Sequence, residues 1–149
     1  MAIALSNRLA QHTIIGLDTN AFIYLFEHHP QFFPLAERLF DYLKTPETQG
    51  ITSIITLIET CIQPRREGRT DLVRIYEQAL FHSAQVQMLP IDAALAKQAV
   101  ILRAQYGFRV PDALQLAAAL ESKATLFVTN DRRLQKCTEL EVLILQDFL

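Results

Sequence analysis

Short apolar runs alternate with amphipathic helical segments along the whole chain, and few folds can accept that pattern. Thr13-Ile14-Ile15-Gly16-Leu17 and Thr125-Leu126-Phe127-Val128-Thr129 are too short for stable helices and are bounded by polar residues, so they read as buried strands. Residues 12–17, 49–53, 84–89, 125–129 and 141–145 are the expected strands. Between them, spacing predicts helices over 20–28, 34–43, 54–62, 71–81 and 92–106, and another opening at Pro111. Pro30, Pro64 and Gly107 are their stop signals. Strands that alternate with helices predict an α/β fold with a mostly parallel central sheet covered on both faces.

The 149 residues carry no internal repeat, low-complexity tract or Gly/Ser/Pro linker, so residues 1–149 are expected to form a single domain with its core over about 12–147. No apolar run reaches the ~20 residues that span a bilayer, and no membrane association is expected. The N-terminus lacks a basic start before a long apolar stretch, against a signal peptide. Cys61 and Cys137 form neither a disulfide framework nor a metal motif. Both read as reduced thiols, which makes the expected location cytoplasmic. A net charge of −2 weighs against a protein that holds nucleic acid by charge alone. It does not exclude a nuclease, whose site acids would offset nearby bases.

Four acids fall where strands end or helices begin. Asp18 closes the first strand and Asp131 follows the strand at 125–129 after Asn130; Glu59 and Asp112 lie on helices. In parallel α/β sheets ligands bind outside the carboxyl ends of the strands, so such a fold would gather these acids. A ring of carboxylates repels itself unless a divalent cation fills it, and metal-dependent phosphate chemistry is the leading reading. Each acid also has a plainer account. Asp18 and Asp131 suit helix N-caps, and Asp112 suits the first turn of its helix. Glu59 sits on an apolar helix where an unpaired carboxylate is costly, unless Thr52, Thr56, Glu59 and Gln63 make a solvated stripe. Asp92 reads as a cap and nothing more.

Competing chemistries lack their residues. There is no G-x-x-x-x-G-K-[ST] loop, no G-x-G-x-x-G turn and no G-x-S-x-G elbow, and the chain has only four glycines. Four scattered histidines do not make a histidine-pair site, and Asn20 stands where a D-x-D phosphoaspartate motif needs an acid.

At these residues the chain resembles PIN-domain nucleases, specifically the small single-domain kind represented by VapC-type toxins. The matching segments are Leu17-Asp18-Thr19-Asn20-Ala21-Phe22-Ile23-Tyr24, then residues 53–59, then Pro111-Asp112-Ala113-Leu114-Gln115-Leu116-Ala117-Ala118-Ala119, then Val128-Thr129-Asn130-Asp131. The resemblance implies a three-layer α/β/α domain that cleaves RNA with Mg²⁺ or Mn²⁺. It makes Asp18, Glu59, Asp112 and Asp131 the catalytic and metal-binding acids, supported by Asn20 and Thr129. It also implies an antitoxin partner in a type II toxin–antitoxin pair, and a homodimer. The Pro-Arg-Arg-Glu-Gly-Arg segment from Pro64 is outside the shared motif.

The expected reaction is endonucleolytic hydrolysis of an RNA phosphodiester by metal-activated water. Arg65, Arg66 and Arg69 after the Glu59 helix, and Arg132 and Arg133 after Asp131, are candidate RNA contacts; solvated surface is the plainer account of each. Two alternatives stand beside the toxin reading. One is a non-toxin PIN nuclease acting in RNA processing or on DNA. The other is a non-catalytic interaction module that uses the aromatic-rich hairpin of Phe22, Tyr24, Phe26, Phe32, Phe33 and Phe40.

Overall fold

The computed structural model describes residues 2–149, with side chains from Ala4 onward. Five strands form one all-parallel sheet: β1 (Ile14–Leu17), β2 (Gln49–Ser53), β3 (Val86–Leu89), β4 (Leu126–Thr129) and β5 (Glu141–Ile144). Their order is β3-β2-β1-β4-β5. The chain therefore starts at the centre, builds outward through β2 and β3, then returns to build β4 and β5 on the other side of β1. That reversal leaves a crevice between the carboxyl ends of β1 and β4, where ligands of doubly wound sheets bind.

Among the described residues, seven helices cover the sheet: α1 (Ala2–Leu9), α2 (Thr19–Phe26), α3 (Phe33–Tyr42), α4 (Ile54–Arg66), α5 (Thr70–His82), α6 (Ala93–Tyr106) and α7 (Val110–Glu121). Single 3-10 turns follow β4 (Arg132–Lys136) and β5 (Leu145–Phe148). Successive strand residues point to opposite faces, and the core divides accordingly. Ile15, Leu17, Leu126 and Val128 pack with Phe22, Leu39, Tyr76 and Leu80 from α2, α3 and α5. Phe127 and Ile51 pack on the other face with Leu95 and Leu102 of α6 and the alanines of α7. The result is a three-layer α/β/α domain. No helix among the described residues is long and apolar enough to cross a membrane.

Of the aromatic residues of the α2–α3 hairpin, Phe22 and Phe32 are buried in the core, and Tyr24, Phe26 and Phe40 pack against it partly buried. Phe22 meets Phe40 edge-on at 5.2 Å, and Phe26 meets Tyr76 at 5.7 Å. Asp92 is a cap, its Oδ1 accepting from Leu95 N at 2.9 Å, and Gly107 ends α6 at φ 75°.

Two expectations about helices need correcting. Residues 2–9, read only as an unsuitable signal peptide, form a helix that buries Leu5 and Leu9 against the sheet. Residue 64 does not lie beyond the end of α4, which runs on to Arg66. Proline forfeits one N–H bond and crowds the preceding turn. Here its ring is buried, and Glu67 N and Arg69 N close the turn onto Gln63 O and Pro64 O.

One glycine sets the approach of α7. A Cβ on Gly16 would lie 2.7 Å from both Ala119 Cβ and Phe127 Cδ1, so the bare backbone of β1 admits the alanine face of the helix. This close contact draws the first turn of α7, with Asp112, towards the strand ends.

Candidate active site

Asp18 is the hinge of the site. It follows β1 and caps α2, with Oδ1 accepting from Thr19 N at 2.9 Å and Oδ2 from Thr129 Oγ1 at 2.6 Å. The cap account and the site account therefore both apply to one side chain. Its own N–H donates to Val128 O at 3.0 Å, which locks the ends of β1 and β4 side by side. Burial pushes the Asp18 carboxyl up to about 6 from 3.8. The hydrogen bonds from Thr129 and Thr19 pull the other way, while the charges of Asp112 and Glu59 add to the rise. Asp18 thus senses the charges of two of the other three acids.

Glu59 reaches the site from α4, but not from a helix apolar all round. Thr56 and Thr60 face inward while Ile58 and Ile62 face out, the reverse of ordinary amphipathic patterning. The inward hydroxyls are satisfied: Thr60 Oγ1 donates to Thr56 O at 2.7 Å, and Thr56 enters a side-chain network. Glu59 is exposed at this edge, so the expected cost of stranding it in apolar surroundings does not arise. The solvated-stripe alternative also fails, because Thr52 and Thr56 are buried. Glu59 Oε1 instead accepts from Thr19 Oγ1 at 2.6 Å. Thr19 therefore touches both Asp18, through its N–H, and Glu59, through its hydroxyl.

Asp112 and Asp131 form a second pair, joined by arginine. Asp131 caps the turn after β4, and Arg133 donates to its carboxylate through Nε and Nη2. Arg133 Nη2 also stands 3.6 Å from Asp112 Oδ2, and Arg109 Nε donates to the same oxygen at 3.3 Å. Arg133 holds the Asp131 carboxyl below its ordinary range, chiefly by hydrogen bonding. Arg132 pairs with Asp147.

The supporting positions lie here too. Thr129 is fully buried; it donates to Asp18 and accepts from Asp131 N at 3.1 Å. Asn20 lines an open cleft with Tyr24, Asn130, Asp131 and Arg133, and its Oδ1 is buried without a hydrogen-bond partner. Arg65, Arg66 and Arg69 are exposed at the end of α4, and no ion pair among the described residues engages them.

Hard oxygen donors, an acid whose ionised form is disfavoured and an unpartnered Asn20 oxygen are a donor set that suits Mg²⁺ or Mn²⁺. Among the described residues, no group of three acidic, histidine or cysteine side chains is gathered tightly enough to cage an ion unaided. Mg²⁺ does not require such a cage, since it keeps several waters and takes one or two carboxylates together with substrate oxygens.

Thr19, Thr52, Ser53, Thr56 and Gln115 were not assigned to the site by the sequence reading. All five are buried beneath the acids and hydrogen-bonded to one another. Gln115 was the available signal, a lone amide in a helix otherwise made of Leu and Ala at its buried positions.

Several solved structures share this fold. A toxin–antitoxin complex from Klebsiella pneumoniae superposes with a TM-score of 0.65 at 20% identity, over 89% of this chain and 97% of that one. VapBC-1 from nontypeable Haemophilus influenzae gives 0.64 at 20% identity, over 90% and 99%. VapC20 of Mycobacterium tuberculosis, a sarcin-ricin loop cleaving toxin, gives 0.62 at 19% identity, over 77% and 87%. No curated protein sequence matches the chain. The family model for the PIN domain matches residues 15–140, nearly the full length, and the chain belongs to the PIN-domain family.

Proposed function

We propose that the protein is a divalent-metal-dependent endoribonuclease and the toxin of a type II toxin–antitoxin pair. The observation that carries this reading is the meeting of Asp18 and Glu59 on Thr19, with Asp112 close enough to raise the Asp18 carboxyl further. Acids at that spacing, at the carboxyl ends of β1 and β4, suit a site that binds a cation and a phosphate together.

Asp18 and Glu59 would hold Mg²⁺ or Mn²⁺, with Asp112, Asp131 and the Asn20 oxygen within the same site. When bound, the ion polarises the scissile phosphate and lowers the pKa of the attacking water. Thr129 fixes the rotamer of Asp18 by donating to Oδ2, and Thr19 fixes Glu59 by donating to Oε1. Glu59 therefore keeps its second oxygen available, while each Asp18 oxygen accepts one hydrogen bond and keeps a further lone pair for the ion. Arg65, Arg66 and Arg69 would draw in the RNA backbone, and Arg133 beside Asp131 would meet a phosphate entering the cleft.

The solved relatives in toxin–antitoxin complexes support an antitoxin partner. Outward-facing Ile58 and Ile62 on α4, and Val100 and Ile101 on α6, give apolar surface for such a peptide or for a second copy in a homodimer. The cytoplasm is the compartment where the RNA substrate and the free thiols of Cys61 and Cys137 are both found.

The test is expression with and without the neighbouring gene, paired with cleavage of labelled RNA by purified protein in Mg²⁺, Mn²⁺ or EDTA. Growth arrest relieved by the neighbour, with cleavage abolished by EDTA and by Asp18→Asn, is the expected result. A folded protein that hydrolyses no RNA in either metal overturns the reading.

A further inference from the structure

Beneath the acids, five buried polar side chains form a network whose proton directions are all determined. Ser53 N–H is an obligatory donor and points at Gln115 Oε1, 3.2 Å away; Ser53 Oγ donates to the same oxygen at 2.7 Å. The Gln115 amide therefore has one permitted orientation, with its nitrogen towards the threonines. Its two protons go to Thr56 Oγ1 at 2.7 Å and Thr19 Oγ1 at 3.1 Å. Thr52 commits its proton to Leu17 O at 3.0 Å, so Thr56 donates to Thr52 across 2.6 Å. Thr19 is left as an acceptor from Gln115, with its single proton free for Glu59 Oε1 at 2.6 Å.

From this ordering we infer that Gln115 is a positioning residue, which orients Glu59 through Thr19 by forcing that hydroxyl to donate towards the carboxylate. The inference deepens the nuclease reading and rests on it. An amide is suited to the place because it offers two donors and an acceptor at fixed angles. Gln115 is 2% exposed and Thr56 fully buried, so no solvent water competes for these bonds. The same chain of hydroxyls ends on Leu17 O, and ties the last residue of β1, immediately before Asp18, to β2 and α4. One amide on α7 thus sets the relation between the two acids that Thr19 joins.

The test compares wild type with Gln115→Met, Thr19→Val and Thr19→Ser. Mn²⁺ affinity is read from the EPR signal of free Mn²⁺, and kcat and KM from cleavage of a labelled RNA. Gln115→Met keeps the side-chain length but neither donates to Thr19 nor accepts from Ser53, and Thr19→Val removes the hydroxyl at nearly constant volume. Both are expected to weaken Mn²⁺ binding about tenfold, the usual effect of losing a group that orients a metal ligand. They should lower kcat with KM little changed, while Thr19→Ser, which keeps the hydroxyl, stays near wild type. Wild-type Mn²⁺ affinity and kcat in folded Thr19→Val or Gln115→Met overturn the inference. Should Gln115→Met not fold, the Thr19→Val and Thr19→Ser pair decides alone. A wild-type protein that binds no Mn²⁺ and cleaves no RNA overturns the nuclease reading and this role with it. An active wild type with indifferent variants overturns the network alone.

Discussion

Arg133 lies between Asp131 and Asp112, donating to Asp131 Oδ2 while its Nη2 stands 3.6 Å from Asp112 Oδ2. A single guanidinium serves two carboxylates of the site, as an ion would. It depresses the Asp131 carboxyl below its ordinary range, which favours the charged form that binds metal. The same positive charge also repels an entering cation. Replacement by Gln should therefore tighten Mn²⁺ binding severalfold at low ionic strength, with a smaller effect in high salt. An EPR titration of free Mn²⁺ reads it, and an unchanged or weaker affinity contradicts the competition.

Asp18 gives stability a pH dependence of definite sign. Its folded carboxyl titrates at about 6, against 3.8 ordinarily, so between these values the folded protein holds a proton that the unfolded chain has released. Stability then falls as pH rises from about 4 to about 6, and the full penalty, on the order of 3 kcal/mol, persists above. Asn keeps an oxygen for Thr19 N and removes the charge. Asp18→Asn should unfold at a higher temperature than wild type at pH 7.5 without metal, and the gap should narrow to about a third by pH 4.5. Mn²⁺ should raise the wild-type unfolding temperature more than the mutant's. Circular dichroism melts at the two pH values check this; a less stable mutant at pH 7.5 refutes it.

Asp131 works in the opposite sense. Its carboxyl is lowered in the folded state, so its contribution is present above the ordinary carboxylate range and fades as pH falls through the lower value.

The sheet was readable because each strand carries its own signature. Residues 125–129 and 13–17 are apolar, short and punctuated, and the parallel order follows from the helices between them. Asp18, Asp112 and Asp131 stood out because they sit at those punctuation points, and Glu59 because it interrupts an apolar run. What the sequence hides is which face of a helix turns inward when both faces are ambiguous. On α4 the isoleucines at 58 and 62 look like core and the threonines at 56 and 60 like surface, yet the threonines are buried. Tertiary partners, Gln115 from α7 and Thr52 from β2, satisfy the Thr56 hydroxyl inside, while Thr60 donates back to Thr56 O within the helix. Helix α1 was missed for a related reason. Its apolar positions Leu5 and Leu9 define too few turns to separate a docked helix from an unstructured end.

The two arginine groups should separate in their salt dependence. Arg132 and Arg133 are each held by an acid, Asp147 and Asp131, whereas Arg65 and Arg66 in the last turn of α4 and Arg69 beyond it are exposed. A phosphate that engages a paired arginine must first displace its carboxylate. If Arg65, Arg66 and Arg69 all contact single-stranded RNA, replacing them with Ala lowers the slope of log K against log salt by about 2, at ~0.7 per contact. Replacing Arg132 alone should change it less. Fluorescence anisotropy across a salt series with Asp18→Asn protein, which does not consume the RNA, measures both slopes. Equal slopes for the triple variant and its parent remove this segment from the RNA path.

Gly16 tests whether the seating of α7 governs the site. An added methyl would sit 2.7 Å from Ala119 Cβ and from Phe127 Cδ1, both deep in the core, and neither is the far end of a flexible chain. The helix has to lift away from β1, at the ~1–3 kcal/mol that overpacking costs. Asp112 is in the first turn of that helix and Gln115 one turn on, so both move with it. Gly50→Ala is the matched control. Its methyl would meet the Leu43 and Leu17 side-chain ends at 2.9 and 3.1 Å and Gln85 O at 3.2 Å, in the layer away from α7. Both variants should lose stability in urea titrations. Only Gly16→Ala should also lose RNA cleavage per folded molecule, because only there does the strain reach the helix that carries an acid. Equal loss of specific activity in the two would mean that α7 can shift without disturbing the acids it brings to β1.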